Sequence, residues 1–175
     1  MIKLCDNKAQ LFGILAVVSF LVFVTIAIIM YKSYDFFNQY LSELGLGSTG
    51  FIFNIGIMLT AILFLAYFYF KFYKTNYKKL FLLSLVSGVA LFCVGVFPMG
   101  HNLHYPAAVT FFLSSFFMIL INSIVLFKEK KNKLVVTGLI LGLFIFFYMF
   151  ILEIPLFQKI AVASIILYYL IISFK

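Results

Sequence analysis

The stretch Gly95-Val96-Phe97-Pro98-Met99-Gly100-His101-Asn102-Leu103-His104-Tyr105-Pro106 decides how the chain is read. It holds both histidines, two of the three prolines and no charged side chain. Long apolar runs flank it on both sides. It reads as a short polar connection between two membrane helices, with the histidines at its mouth.

Composition supports that reading. The chain has 175 residues, 66% of them apolar and only 10% charged. A soluble domain carries roughly a quarter charged residues and could not cover its surface with so few. Lipid is the natural solvent for such a surface. The net charge is +8, but the lysines fall in short runs between apolar segments, so topology explains them better than nucleic acid does. Arginine is absent, so no guanidinium fork is available for phosphate or carboxylate. Cys5 lies in a polar N-terminal segment and Cys93 near the end of an apolar run, so a disulfide between them would have to cross the bilayer. The first apolar run is longer than a signal-peptide core and offers no small-residue cleavage site, so it reads as a retained span.

A helix crossing the hydrocarbon needs roughly 20 apolar residues. Six segments fit: Ala9–Tyr31, Phe51–Phe70, Leu80–Phe97, Pro106–Phe127, Leu134–Leu152 and Ile160–Phe174. They are continuously apolar, whereas barrel strands would alternate. Eleven of the thirteen lysines fall on alternate connections or on the termini: Lys3, Lys8, Lys71, Lys74, Lys78, Lys79, Lys128, Lys130, Lys131, Lys133 and Lys175. The other connections hold only Lys32 and Lys159. The positive-inside rule puts the lysine-rich side in the cytoplasm. The expectation is therefore one all-α domain over residues 1–175. It is a six-helix bundle in the cell membrane with both termini cytoplasmic.

Small residues mark packing seams. Gly138 and Gly142 form a GxxxG pair, and Ser84 and Gly88 a small-xxx-small pair. Such pairs let backbones approach closely, within one chain or across a homodimer. In the first outer connection, Phe36, Phe37, Tyr40, Leu41 and Leu44 recur at helical spacing. Asp35, Asn38, Gln39, Ser42 and Glu43 take the other face. That pattern predicts a short amphipathic helix lying in the interface and stopping at Gly45.

Two stretches here resemble a known family. They are Tyr40-Leu41-Ser42-Glu43-Leu44-Gly45 followed by Phe53-Asn54, and Gly95-Val96-Phe97-Pro98 followed by His104 and Ala107-Ala108. The order and spacing resemble the domain-of-unknown-function family 998. Those are small six-span proteins of archaea and bacteria, distantly similar to the Frag1/DRAM/Sfk1-type membrane proteins. The resemblance covers nearly the whole chain and implies six spans but no particular activity. It singles out Ser42, Glu43, Gly45, Asn54, Pro98 and His104, while His101 lies outside the family pattern.

These residue types suit several chemistries. His101 and His104, three apart, could share a helix face, and Asp35, Glu43 or Glu153 could complete a zinc site for lipid amide or ester hydrolysis. Ser42, Glu43 and His104 are the residue types of a nucleophilic triad, although adjacent Ser and Glu on a helix point apart. Bis-histidine haem needs opposing helices, and both histidines share one segment. No Asp, Glu, Lys or His falls at mid-span, which argues against ion-coupled transport. The favoured reading is non-enzymatic. Asp35, Asn38, Ser42, Glu43, Asn54 and His104 would form a hydrogen-bonded outer cap on a bundle that binds membrane lipids or assembles with other subunits, with no cofactor and no nucleic acid.

Overall fold

The computed structural model describes residues 2–73 and 77–174. Lys74 and Lys175, and the side chains of Lys3, Cys5, Lys78 and Lys79, lie outside the described residues. The described residues form six α-helices: α1 (Ile2–Met30), α2 (Gly50–Phe68), α3 (Lys78–Val96), α4 (His104–Lys128), α5 (Asn132–Phe150) and α6 (Pro155–Ser173). They contain no strand. A helix closes every backbone hydrogen bond within itself, which is the form an apolar run takes where no water is at hand. Five of the helices are long and apolar enough to cross a membrane; the described apolar part of α3, Leu80–Val96, is shorter.

Each helix packs mainly against the next in the chain, and α1 also touches α6, which closes the ring. Close approach depends on missing side chains. At Gly95 an added Cβ would lie 2.8 Å from the carbonyl oxygen of Asn54 and 3.1 Å from the amide of Met58. The backbones of α2 and α3 therefore touch there, and no rotamer change could make room. The GxxxG pair faces inward. A Cβ at Gly138 would meet Ser123 and Tyr168, and one at Gly142 would sit 3.8 Å from Ile119 and Phe116. Both glycines are buried against α4 and α6, so the seam they form lies within the chain.

Uncharged polar groups also lie between the helices. Between the helices, Ser87 and Ser115 share a hydrogen bond of 2.8 Å, and Asn122 donates to the Tyr168 hydroxyl at 2.6 Å. Ser84 donates to the Leu80 carbonyl at 2.6 Å. Tyr67, Tyr168 and Tyr169 are fully buried. None of these groups is charged, so each fits the interior once it finds a partner.

The connections sort by end. Residues 31–49, 97–103 and 151–154 meet at one end of the ring. Residues 69–73, Tyr77 and residues 129–131 meet at the other. Lys8, over the Phe70 ring at 5.5 Å, belongs to that second end. Connections poor in lysine thus share one rim and those rich in lysine share the opposite one.

The first connection differs from the continuous amphipathic helix expected there. Residues 36–39 form a tight turn. A 3₁₀ turn follows over Leu41–Gly45 and another over Gly47–Thr49, before α2 begins. Asp35 caps this single turn: its carboxylate accepts the amides of Phe37 (2.9 Å) and Asn38 (3.2 Å), and its carbonyl accepts that of Gln39 (3.0 Å). The turn goes no further, because Tyr40 is extended. Gly47, at φ +62, then turns the chain into α2.

Candidate functional site

At the lysine-poor rim a cleft of about 210 Å³ opens between α4, α5, α6 and the first connection. Its mouth carries Tyr40, Ser42, His104, Tyr105, Tyr148, Glu153 and Gln158. Beneath it a narrower space of about 60 Å³ runs into the ring, walled by Phe20, Phe53, Phe64, Leu91, Phe111 and Ile165. Ser42, His104, Ala108, Phe112 and Gln158 line both. The two spaces therefore adjoin, with polar groups above and aliphatic and aromatic walls below.

The strap over residues 39–45 forms one wall and is held by α6. The Gln158 Oε1 accepts the amide of Leu41 at 2.8 Å, with both residues buried. The Tyr40 hydroxyl donates to the Glu153 carbonyl at 2.8 Å. Lys159, only 8% exposed although one turn into an apolar helix, donates to the Gln39 carbonyl and, at 3.4 Å, to that of Pro155. The rings of Phe36 and Tyr34 lie 5.1 and 5.6 Å from its ammonium. A buried ammonium needs such carbonyls and ring faces in place of water.

The six residues expected to form one cap resolve into four separate devices. Asp35 and Asn38 make an exposed turn, with Asn38 Nδ2 donating to Asp35 at 2.7 Å. Those bonds, from the Asn38 side chain first and then the two backbone amides, hold the Asp35 carboxyl below its ordinary range. Glu43 accepts the Tyr40 amide at 2.7 Å and so caps the 3₁₀ turn. Asn54 donates to the Gly45 carbonyl at 3.2 Å and ties that turn to α2. Only Ser42 and His104 reach the cleft. Behind the strap, burial pushes the Tyr34 hydroxyl up to about 12, with Glu43 and Asp35 adding to the shift.

The histidines do different things. His101 is exposed, stacks on Phe97 at 4.8 Å, and accepts the Leu103 amide at Nδ1 over 3.1 Å. His104 is half-buried, with Nδ1 2.7 Å from the Phe97 carbonyl. A carbonyl can only accept, so Nδ1 of His104 carries the proton, and in the neutral ring Nε2 is left as an acceptor. Only His104 lines the cleft. No group of three or more His, Cys, Asp or Glu side chains lies close enough to hold a metal ion among the described residues. The zinc-site residues weighed above, His101, His104 and Glu43, thus do not gather.

Gln158 faces the mouth with its oxygen engaged by Leu41 and its amide also donating to Tyr148, so its second amide N–H is what it can offer. The mouth then presents an imidazole acceptor, an amide donor and tyrosine hydroxyls, together with one carboxylate, Glu153, and no lysine. Tyr40, Tyr105, Tyr148, Glu153 and Gln158 were not in the expected cap. The available signal was Gln158-Lys159 inside an apolar run, since polar residues there need partners.

These features define a class: a small all-helical bundle, with helices long and apolar enough to cross a membrane and a cleft that is polar above and apolar below. The chain belongs to the family of proteins of unknown function DUF998, whose model matches residues 14–174. No curated protein and no solved structure matches it.

Proposed function

We propose that the protein crosses the cell membrane six times, with both termini cytoplasmic, and that its outer cleft binds an uncharged, hydroxyl-bearing lipid without chemically altering it. The cleft carries this reading: the hydrogen-bonding mouth and the apolar space beneath share five residues. An amphiphile fits that order, with its hydroxyl between His104 Nε2 and the Gln158 amide and its first methylenes against Phe112 and Phe111. A carboxylate at the mouth and no cation disfavour a phosphate headgroup. Six crossings are supported by the place of α3 between α2 and α4 in the ring and by its 19 residues, about 28 Å of helix. The lysine bias between the two rims supports the orientation.

Photo-crosslinking tests the binding. A photoactivatable diacylglycerol should label peptides from residues 97–112 and 148–158 saturably, and unlabelled diacylglycerol should compete. Ala108→Phe, which fills the junction of the two spaces, should abolish labelling. A photoactivatable phosphatidylglycerol should not label the cleft. Equal labelling by both probes would refute the headgroup assignment. Turnover of a lipid ester by pure protein, lost in His104→Ala, would make it an enzyme instead. Cysteine labelling checks the orientation: a probe on Asn102→Cys should react from outside intact cells and one on Lys130→Cys should not.

A further inference from the structure

The lysine-rich rim holds a second cleft, of about 200 Å³, between the end of α2, the end of α4 and the start of α5. Its polar lining is Lys71, Tyr77, Asn122, Glu129 and Lys131. Phe72, Val125, Leu126, Leu134 and Ile172 make the apolar part. We propose that this cleft binds the phosphate headgroup of an anionic phospholipid. The inference assumes that the chain sits in a bilayer but is independent of what the outer cleft holds.

Three observations carry it. The first is charge. Two lysines, Lys71 and Lys131, and one carboxylate, Glu129, line the cleft. Glu129 is fully engaged: Tyr77 donates to one oxygen at 3.2 Å and Lys131 to the other at 2.6 Å. The Lys131 ammonium beside it is the first cause holding its carboxyl below the usual range, so it stays ionised. An ammonium has three donors, and this pairing uses one. The Lys131 side chain is 43% exposed, so the remaining donors can reach a ligand.

The second observation is depth. Lys128 ends α4 and Asn132 begins α5, so the charged lining sits where the helices stop. In a bilayer that is the level of the lipid phosphates, and basic pockets between helix ends there take anionic headgroups. The third is the lining below. Phe72, Leu126 and Ile172, themselves buried, give the cleft an apolar wall beneath its lysines for the start of an acyl chain. A free phosphate would have no use for that wall. The contrast with the outer cleft, which has a carboxylate and no lysine, makes the two rims select opposite headgroups.

Native mass spectrometry of the delipidated protein in detergent tests this with dioleoylphosphatidylglycerol as the probe. The wild type should bind it at least tenfold more tightly than dioleoylphosphatidylcholine, and inorganic phosphate should not displace it. Lys71→Gln with Lys131→Gln should weaken binding about tenfold. Lys130→Gln with Lys133→Gln, which removes the same charge from outside the lining, should change it less than twofold. Glu129→Gln removes the only negative charge in the cleft and should tighten binding severalfold, a gain that misfolding cannot mimic. Equal losses in the two lysine pairs, equal affinity for the two lipids, displacement by inorganic phosphate, or weaker binding in Glu129→Gln would each overturn the proposal.

Discussion

The strap over the outer cleft hangs on Gln158, and Gln158→Leu tests that directly. Leucine keeps nearly the same bulk, so the cavity term is small. What is lost is the acceptor 2.8 Å from the Leu41 amide. Leu41 opens a 3₁₀ turn, so no earlier residue of that turn takes its N–H. Leu41 and Gln158 are 9% and 8% exposed, so water does not replace the lost partner. A buried donor left unmade costs about 1–3 kcal/mol. For a chain of this length each kcal/mol moves Tm by roughly 2–4 °C, so the expected drop in detergent is about 2–12 °C. Amide exchange gives the local readout: protection at Leu41 should fall and the rest of the strap should loosen with it, while α2 and α4 keep theirs. Gln158→Glu keeps an oxygen at the same place and should restore protection at Leu41. An unchanged Tm together with unchanged exchange at Leu41 would show that the strap is held by something else.

Two glycines in apolar helices should answer differently to alanine. Gly95→Ala drives a methyl into the backbone of α2 and should cost about 1–3 kcal/mol by thermal unfolding. Gly142→Ala meets only ordinary contacts at 3.8 Å, and alanine's helix preference of up to about 1 kcal/mol should leave it neutral or stabilised. A loss at Gly142 as large as at Gly95 would contradict the packing described. The exposed turn at Asp35 has a sign that can be checked by following its side-chain carboxyl by NMR. Its folded pKa lies below the ordinary 3.8, so the turn keeps its full support above that value and loses it as pH falls further; titration at or above 3.8 would refute the bonds assigned to it. Elemental analysis should find no stoichiometric zinc in purified protein; one zinc per chain, lost in His104→Ala, would favour the hydrolase reading.

How much of this was legible beforehand depends on the kind of signal. Helix number follows from unbroken apolar runs, because lipid leaves a backbone one solution. The grouping of connections into two rims follows from lysine spacing alone. In the strap, Phe36, Phe37, Tyr40, Leu41 and Leu44 keep helical spacing, but the backbone breaks at the extended Tyr40 between an Asp35-capped turn and the 3₁₀ turn over Leu41–Gly45. Periodicity records which side chains face in, not where the backbone bonds go. The residues of the expected cap bond locally for a related reason. Asp35, Glu43 and Asn54 each satisfy a backbone group within nine residues, and Asn38 bonds the Asp35 carboxylate. Ser42 and His104, both in the family pattern, lie on separate elements that meet at the cleft. Gln158 is legible as a polar residue beside Lys159 at the start of an apolar run, whereas nothing local separates an aromatic such as Tyr148 that lines a cleft from one that faces lipid.

Lys159 shows how a charge can be structural without being functional. In sequence it looks like an outer-connection lysine, a stray against the cytoplasmic bias. In the fold it is buried under the strap, donating to Gln39 and Pro155 carbonyls with two aromatic rings at hand. It is absent from the cleft lining, so the mouth keeps its acceptor-and-donor character with Glu153 as its only formal charge. A lysine a few ångströms further into the mouth would have made a phosphate site there. Held behind the strap by carbonyls, Lys159 leaves that mouth without a lysine, whereas Lys71 and Lys131 line the cleft at the opposite rim.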